Sequence, residues 1–168
     1  MKDIKVYNLI FPFWLILFFP PIIFATMLGN FLIDSLVVIA SFYVFKLSKL
    51  NYFLKPVYMR SILKVWLFGF LADMIGAFIL ILVVTIGGGL GLPYELTSSI
   101  SYDPFKQPLA VVFILFAMIV SSFFIFVFNY KYTFKTIIED KKLRIKVALT
   151  LAVVTIPWTF LIPMSWFY

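Results

Sequence analysis

The sequence predicts an all-α, polytopic transmembrane helix bundle, and three observations carry that reading. Of 168 residues, 64% are hydrophobic and only 12% are charged. The mean hydropathy is +1.12. Apolar runs of span length alternate with short segments rich in Lys and Arg. Soluble domains carry about 25% charged residues, and a chain this short cannot hide so large an apolar fraction in one core without exposing it on every side. Lipid is the solvent that fits.

The first apolar block runs from Tyr7 to Phe45 without a Lys or Arg. That is too long for one span of about 20 residues and suits a hairpin of two. Pro20-Pro21 and Gly29-Asn30 are the breakers inside it, so the chain is expected to reverse between Pro20 and Asn30. Five spans follow, at about 6–25, 28–47, 65–86, 109–130 and 147–168, each near the roughly 20 residues required. Lys2 and Lys5 before an apolar run resemble a secretory signal. The run is too long and lacks an Ala-x-Ala site, so an uncleaved first span is expected, with a re-entrant segment as the alternative. No connecting stretch reaches the roughly 50 residues of an independent domain, so residues 1–168 read as a single transmembrane domain.

Positive charge sets the expected orientation, because short loops bearing Lys and Arg are retained in the cytosol. Thirteen of the fourteen basic residues fall on one side: Lys2 and Lys5, then five over 46–64, then six over 131–146. The 87–108 connection carries only Lys106, against Glu95 and Asp103. The N-terminus is therefore expected inside and the C-terminus outside. All nine tyrosines fall in connections or near span ends, as amphipathic rings at headgroup level should.

Several activities are argued against by composition. The chain has no Cys and no His, which removes disulfides, thiolate sites, the usual general base and the commonest transition-metal ligand. Metalloproteases and serine intramembrane proteases are disfavoured on that ground. The net charge of +7 sits in strips beside hydrophobic spans rather than on a solvated face with stacking aromatics, so anionic lipid at the inner leaflet is the expected partner and nucleic acid is not. Gly87-Gly88-Gly89-Leu90-Gly91 lacks the flanking strand, helix and Lys-Ser/Thr of a phosphate loop and reads as a flexible exit from the third span. The mixed loop 46–64 and the turn at Glu139-Asp140 need no function beyond the positive-inside bias.

The informative residues are two acids inside predicted spans, since a carboxylate at the bilayer centre costs at least about 2.5 kcal/mol. Asn30, Asp34 and Ser41 share one face of the second span. At about 1.5 Å per residue, Asp34 falls roughly 9 Å below the outer edge and Asp73 roughly 12 Å from the inner edge. In a core about 30 Å thick their depths differ by about 9 Å. They are thus expected not to touch, which also argues against a two-acid protease. Ser41, Ser121, Ser122 and Thr155 fall near the level of Asp73 and are its expected hydrogen-bond partners. Gly69, Ala72, Gly76 and Ala77 form a small-residue strip suited to helix packing within the chain or to a dimer face. The polar set reads in two ways, as a path for a proton or hard cation, or as interhelical glue at about 0.6 kcal/mol per bond.

Phe11-Pro12-Phe13-Trp14, the Asn30/Asp34 pair, the run from Lys64 to Asp73 and the close Thr155-Ile156-Pro157 together resemble a group of small multi-pass proteins of low-GC Gram-positive bacteria. The resemblance covers most of the chain. It implies a bacterial plasma membrane and assigns neither an activity nor a catalytic residue. The expectation is a non-enzymatic accessory or interaction protein without a cofactor, for example in immunity or protection, acting through a membrane-protein partner or as a homo-oligomer. The alternative is a small ion- or proton-linked transporter using Asp34 and Asp73.

Overall fold

The computed structural model describes residues 12–16 and 22–167. Among them lie six α-helices: α1 (Phe13–Ile16), α2 (Ile22–Val44), α3 (Leu54–Ile86), α4 (Tyr94–Tyr102), α5 (Pro108–Phe128) and α6 (Lys141–Val154). Four segments are long and apolar enough to cross a bilayer: Ile22–Val44, Leu54–Ile86, Pro108–Thr133 and Lys141–Leu161. The chain is a multi-pass helical membrane protein. Of the expected first span at about 6–25, residues 6–11 and 17–21 lie outside the described residues, and residues 22–25 belong to α2 instead.

Helix α2 corrects the reading of Gly29-Asn30 as a turn, because it runs unbroken through both. In lipid an open turn would strand backbone N–H and C=O groups at several kcal/mol each, a penalty larger than the turn preference of Gly and Asn. Helix α3 spans 33 residues, or about 50 Å at the α-helical rise, so it overruns a hydrocarbon core of about 30 Å. The expected loop 46–64 is therefore helical from Leu54 onward. Pro56 fits there because the first turn of a helix has no intrahelical use for its N–H. The reversal between α2 and α3 is confined to residues 45–53, where Lys46 and Asn51 take left-handed φ values of 52° and 62°. The connection 87–108 contains α4, which buries Leu96 and Ile100.

Helix α6 starts six residues ahead of the expected boundary, at Lys141. Asp140 caps it by accepting a hydrogen bond from Leu143 N–H at 2.8 Å. This is the ordinary N-cap role of Asp. The helix ends at Val154, and two short 3₁₀ turns, Trp158–Leu161 and Met164–Trp166, replace the rest of the expected fifth span.

The basic connections gather at one end of the bundle, where Tyr52 hydroxyl accepts from Glu139 N–H at 3.2 Å. There Arg144 stacks over the Tyr130 ring, 4.7 Å from its centroid, and bonds the Tyr130 hydroxyl. At the opposite, glycine-rich end Ser165 hydroxyl donates to Asp103 at 3.3 Å, and buried Trp14 donates its Nε1–H to Ile100 carbonyl at 3.2 Å. Helices α2 and α3 are clamped by the Trp66 Nε1–H on Met27 carbonyl at 2.8 Å and by Ser35 against Tyr58 hydroxyl at 3.0 Å.

Two apolar cores fill the bundle, one toward each end. The first includes Val38, Ala72, Ile125 and Ala152; the second includes Ala77, Leu80, Met118 and Phe160. The seam between them lies between Ala72 and Ala77 on α3, between Met118 and Ile125 on α5, and between Ala152 and Phe160 after α6. Asp73, Ser121 and Thr155 occupy that seam.

Candidate functional site

A cavity of about 150 Å³ opens at the seam, lined by Asn30 and Asp34 of α2, Gly69 and Asp73 of α3, and residues of 154–160, with Thr155 and Pro157 among them. Asp34 is 4% exposed, and no hydrogen bond reaches its carboxylate from the described residues. Its Oδ2 lies 3.5 Å from the point where a Gly69 side chain would begin. Gly69 and Asp73 are one helical turn apart on the same face of α3, a separation of about 6 Å. Ser121, fully buried on α5, donates to Asp73 Oδ1 at 2.8 Å.

The acids are not kept apart as their separate depth counts suggested: Asp34 and Asp73 line one cavity.

The break in α6 forms the third wall. Thr155 N–H and its hydroxyl both turn back to Leu151 carbonyl, at 2.8 and 2.9 Å. Pro157 has no N–H to offer Val153 carbonyl, and Trp158 N–H turns to Ile156 carbonyl at 2.7 Å instead of reaching back to Val154. The helix therefore stops with the carbonyl of Val154, a cavity-lining residue, left without its helical donor. Phe160 then packs on Gly76, where a Cβ would stand 3.0 Å from the Phe160 ring and 3.1 Å from Ala117 carbonyl. Ala72 and Ala77 are likewise buried inside the chain.

Other expected site residues go elsewhere. Ser122 donates to Ala152 carbonyl at 2.7 Å. Ser41 is buried toward the basic end, where its hydroxyl has no partner among the described residues. Neither lines the cavity, and of the four hydroxyls assigned to Asp73 only Ser121 bonds it. Thr26, Pro157 and Thr159 line the cavity without having been expected there. The legible signal was a proline inside a predicted span, which marks interrupted helices in membranes.

The cavity lining includes no Lys or Arg. Two carboxylates in such surroundings are ionised only at high cost, so their charge is met by protons or by a bound cation. Among the described residues no three His, Cys, Asp or Glu side chains gather as a metal site. A second cavity of about 800 Å³ lies at the glycine-rich end, lined by Tyr94, Ser98, Tyr102, Asp103 and Lys106 among others. Several of its polar groups are engaged: Ser98 bonds Glu95 carbonyl, Asp103 accepts from Phe105 N–H and Ser165, and Lys106 lies over the Tyr102 ring.

Helices with apolar exteriors around an intramembrane pair of acids define this as a multi-pass membrane protein with a polar centre. No family model, curated protein or solved structure matches the chain.

Proposed function

We propose that the chain is a small transporter of the bacterial plasma membrane that moves a proton or a hard cation through the cavity shared by Asp34 and Asp73. The observation that carries this reading is the convergence of two carboxylates on one cavity without a cationic side chain, beside an interrupted helix. Intramembrane acids of this kind serve ion and proton pathways, and interrupted helices commonly build the binding sites of transporters.

The accessory or immunity role draws on the small-residue strip, but Gly76, Ala72 and Ala77 spend that strip on packing inside the chain. A two-acid hydrolase is no longer opposed by depth. It is opposed by space, since about 150 Å³ holds roughly five waters and not a peptide segment. The reading therefore involves no catalytic step and no cofactor. The bacterial membrane rests on the resemblance described above. Orientation rests on charge: the basic end faces the cytosol and anionic lipid, with the C-terminus outside.

Ion flux in proteoliposomes tests the proposal. The wild type is expected to dissipate an imposed proton or cation gradient, while Asp34→Asn and Asp73→Asn remain folded and inactive. Wild-type flux no greater than that of empty vesicles sinks transport, and a partner recovered by gentle detergent extraction would then return the accessory role.

A further inference from the structure

We infer that the cavity is a binding site for a dehydrated monovalent cation of the sodium class, held between the Asp34 and Asp73 carboxylates and the Val154 carbonyl released where α6 breaks. The inference rests on the proposed transport function and names its substrate.

Three independent features point to a ligand. First, Asp34 is 4% exposed and lines the cavity with no hydrogen bond from the described residues. A carboxylate left so is normally paired or coordinating. Second, only one oxygen of Asp73 is taken, by Ser121. Third, the turned-back Trp158 N–H leaves the carbonyl of Val154, a cavity-lining residue, without its helical donor. Unwound carbonyls beside acids coordinate Na⁺ or H⁺ in interrupted transporter helices. Asn30 adds an amide oxygen to the same lining.

The donor set decides the class of ion. Every donor is a hard oxygen, which excludes soft-metal preference. Calcium takes six to eight oxygens, usually with several carboxylates, and magnesium keeps several waters around it. Two carboxylates, one oxygen of which Ser121 already occupies, with the Val154 carbonyl beside them in about 150 Å³, offer fewer free charged and carbonyl oxygens than calcium takes and match the smaller demand of a monovalent ion.

Binding of radiolabelled sodium to the full chain in nanodiscs, read by scintillation proximity, tests the inference separately from flux. Binding should saturate and be displaced by unlabelled Na⁺ far better than by K⁺ or Ca²⁺. Asp34→Asn and Asp73→Asn should each abolish it, and Asp103→Asn, outside the cavity, should leave it unchanged. Pro157→Ala lets the helix continue, so that Trp158 N–H can return to Val154 carbonyl, and should weaken binding about tenfold without touching either acid. Circular dichroism confirms that each variant is folded. No saturable sodium binding by folded wild type overturns the inference, as does preferential displacement by Ca²⁺. Proton flux without sodium binding leaves the transport reading standing and this one fallen. Sodium binding without any flux does the reverse.

Discussion

The Asp34 carboxylate lies over Gly69, with Oδ2 3.5 Å from where a side chain at that position would start. The cavity floor is thus an absent side chain, one turn before Asp73. Gly69→Ala places its methyl at ordinary contact distance and is expected to preserve fold and flux. Gly69→Leu fills the space between the acids and should abolish flux, while size-exclusion profile and helicity stay those of the wild type.

Gly76 has less room. A Cβ there would meet Phe160, Ala117 carbonyl and Ser121 Cβ at 3.0, 3.1 and 3.2 Å. Even Gly76→Ala must push α5 or the 158–161 turn outward, an overpacking cost of about 1–3 kcal/mol. The expected result is a lower melting temperature in detergent, with Gly76→Leu failing to fold. A wild-type melting temperature for Gly76→Ala would contradict this packing.

Trp14 ties the N-terminal segment to α4 through a single buried bond to Ile100 carbonyl. Trp14→Phe keeps most of the apolar volume and leaves that bond unmade, costing about 1 kcal/mol. Hydrogen exchange should rise in residues 12–16, with α2 and α3 protected as before.

Arg144 stacks on Tyr130 and reaches Lys135 carbonyl at 3.5 Å, so one guanidinium ties the π-helical turn to the first turns of α6. Arg144→Ala should destabilise the chain by about 1 kcal/mol. Arg144→Lys should restore little, because an ammonium cannot stack and bridge at once. Chemical denaturation in micelles measures both.

The native chain has no cysteine, so each introduced thiol is a clean topology probe. Glu95→Cys should react with an impermeant maleimide on intact cells. Lys2→Cys and Lys142→Cys should react only after permeabilisation. Labelling of Lys2→Cys from outside would make the first segment re-entrant and the number of crossings even.

The sites of charge were readable because they obey composition: Lys and Arg flank the apolar runs, and the structure gathers the basic connections at one end. Helix ends were less readable. The charges at Lys55, Arg60 and Lys64 look like a loop in a hydropathy profile, yet α3 continues through them, since a helix leaving the membrane need not stop. The N-cap at Asp140 was available to a capping argument, but the mixed charge at 139–142 concealed it. Asn30, Asp34, Asp73 and Thr155 were legible as site residues from polarity alone, and their grouping was not.

By itself the sequence determined that this protein is a helical membrane protein, roughly where its apolar segments from α2 onward lie, and which side chains there are costly to bury. Those are properties of composition and local period, and solvent preference acts on them residue by residue. Only the tertiary structure decided that Asp34 and Asp73 share one cavity. That depends on how α2, α3 and the broken end of α6 pack around the cavity. Helix ends inside a membrane are fixed by which backbone groups neighbouring helices and side chains satisfy, and that accounting is made between segments, not within them.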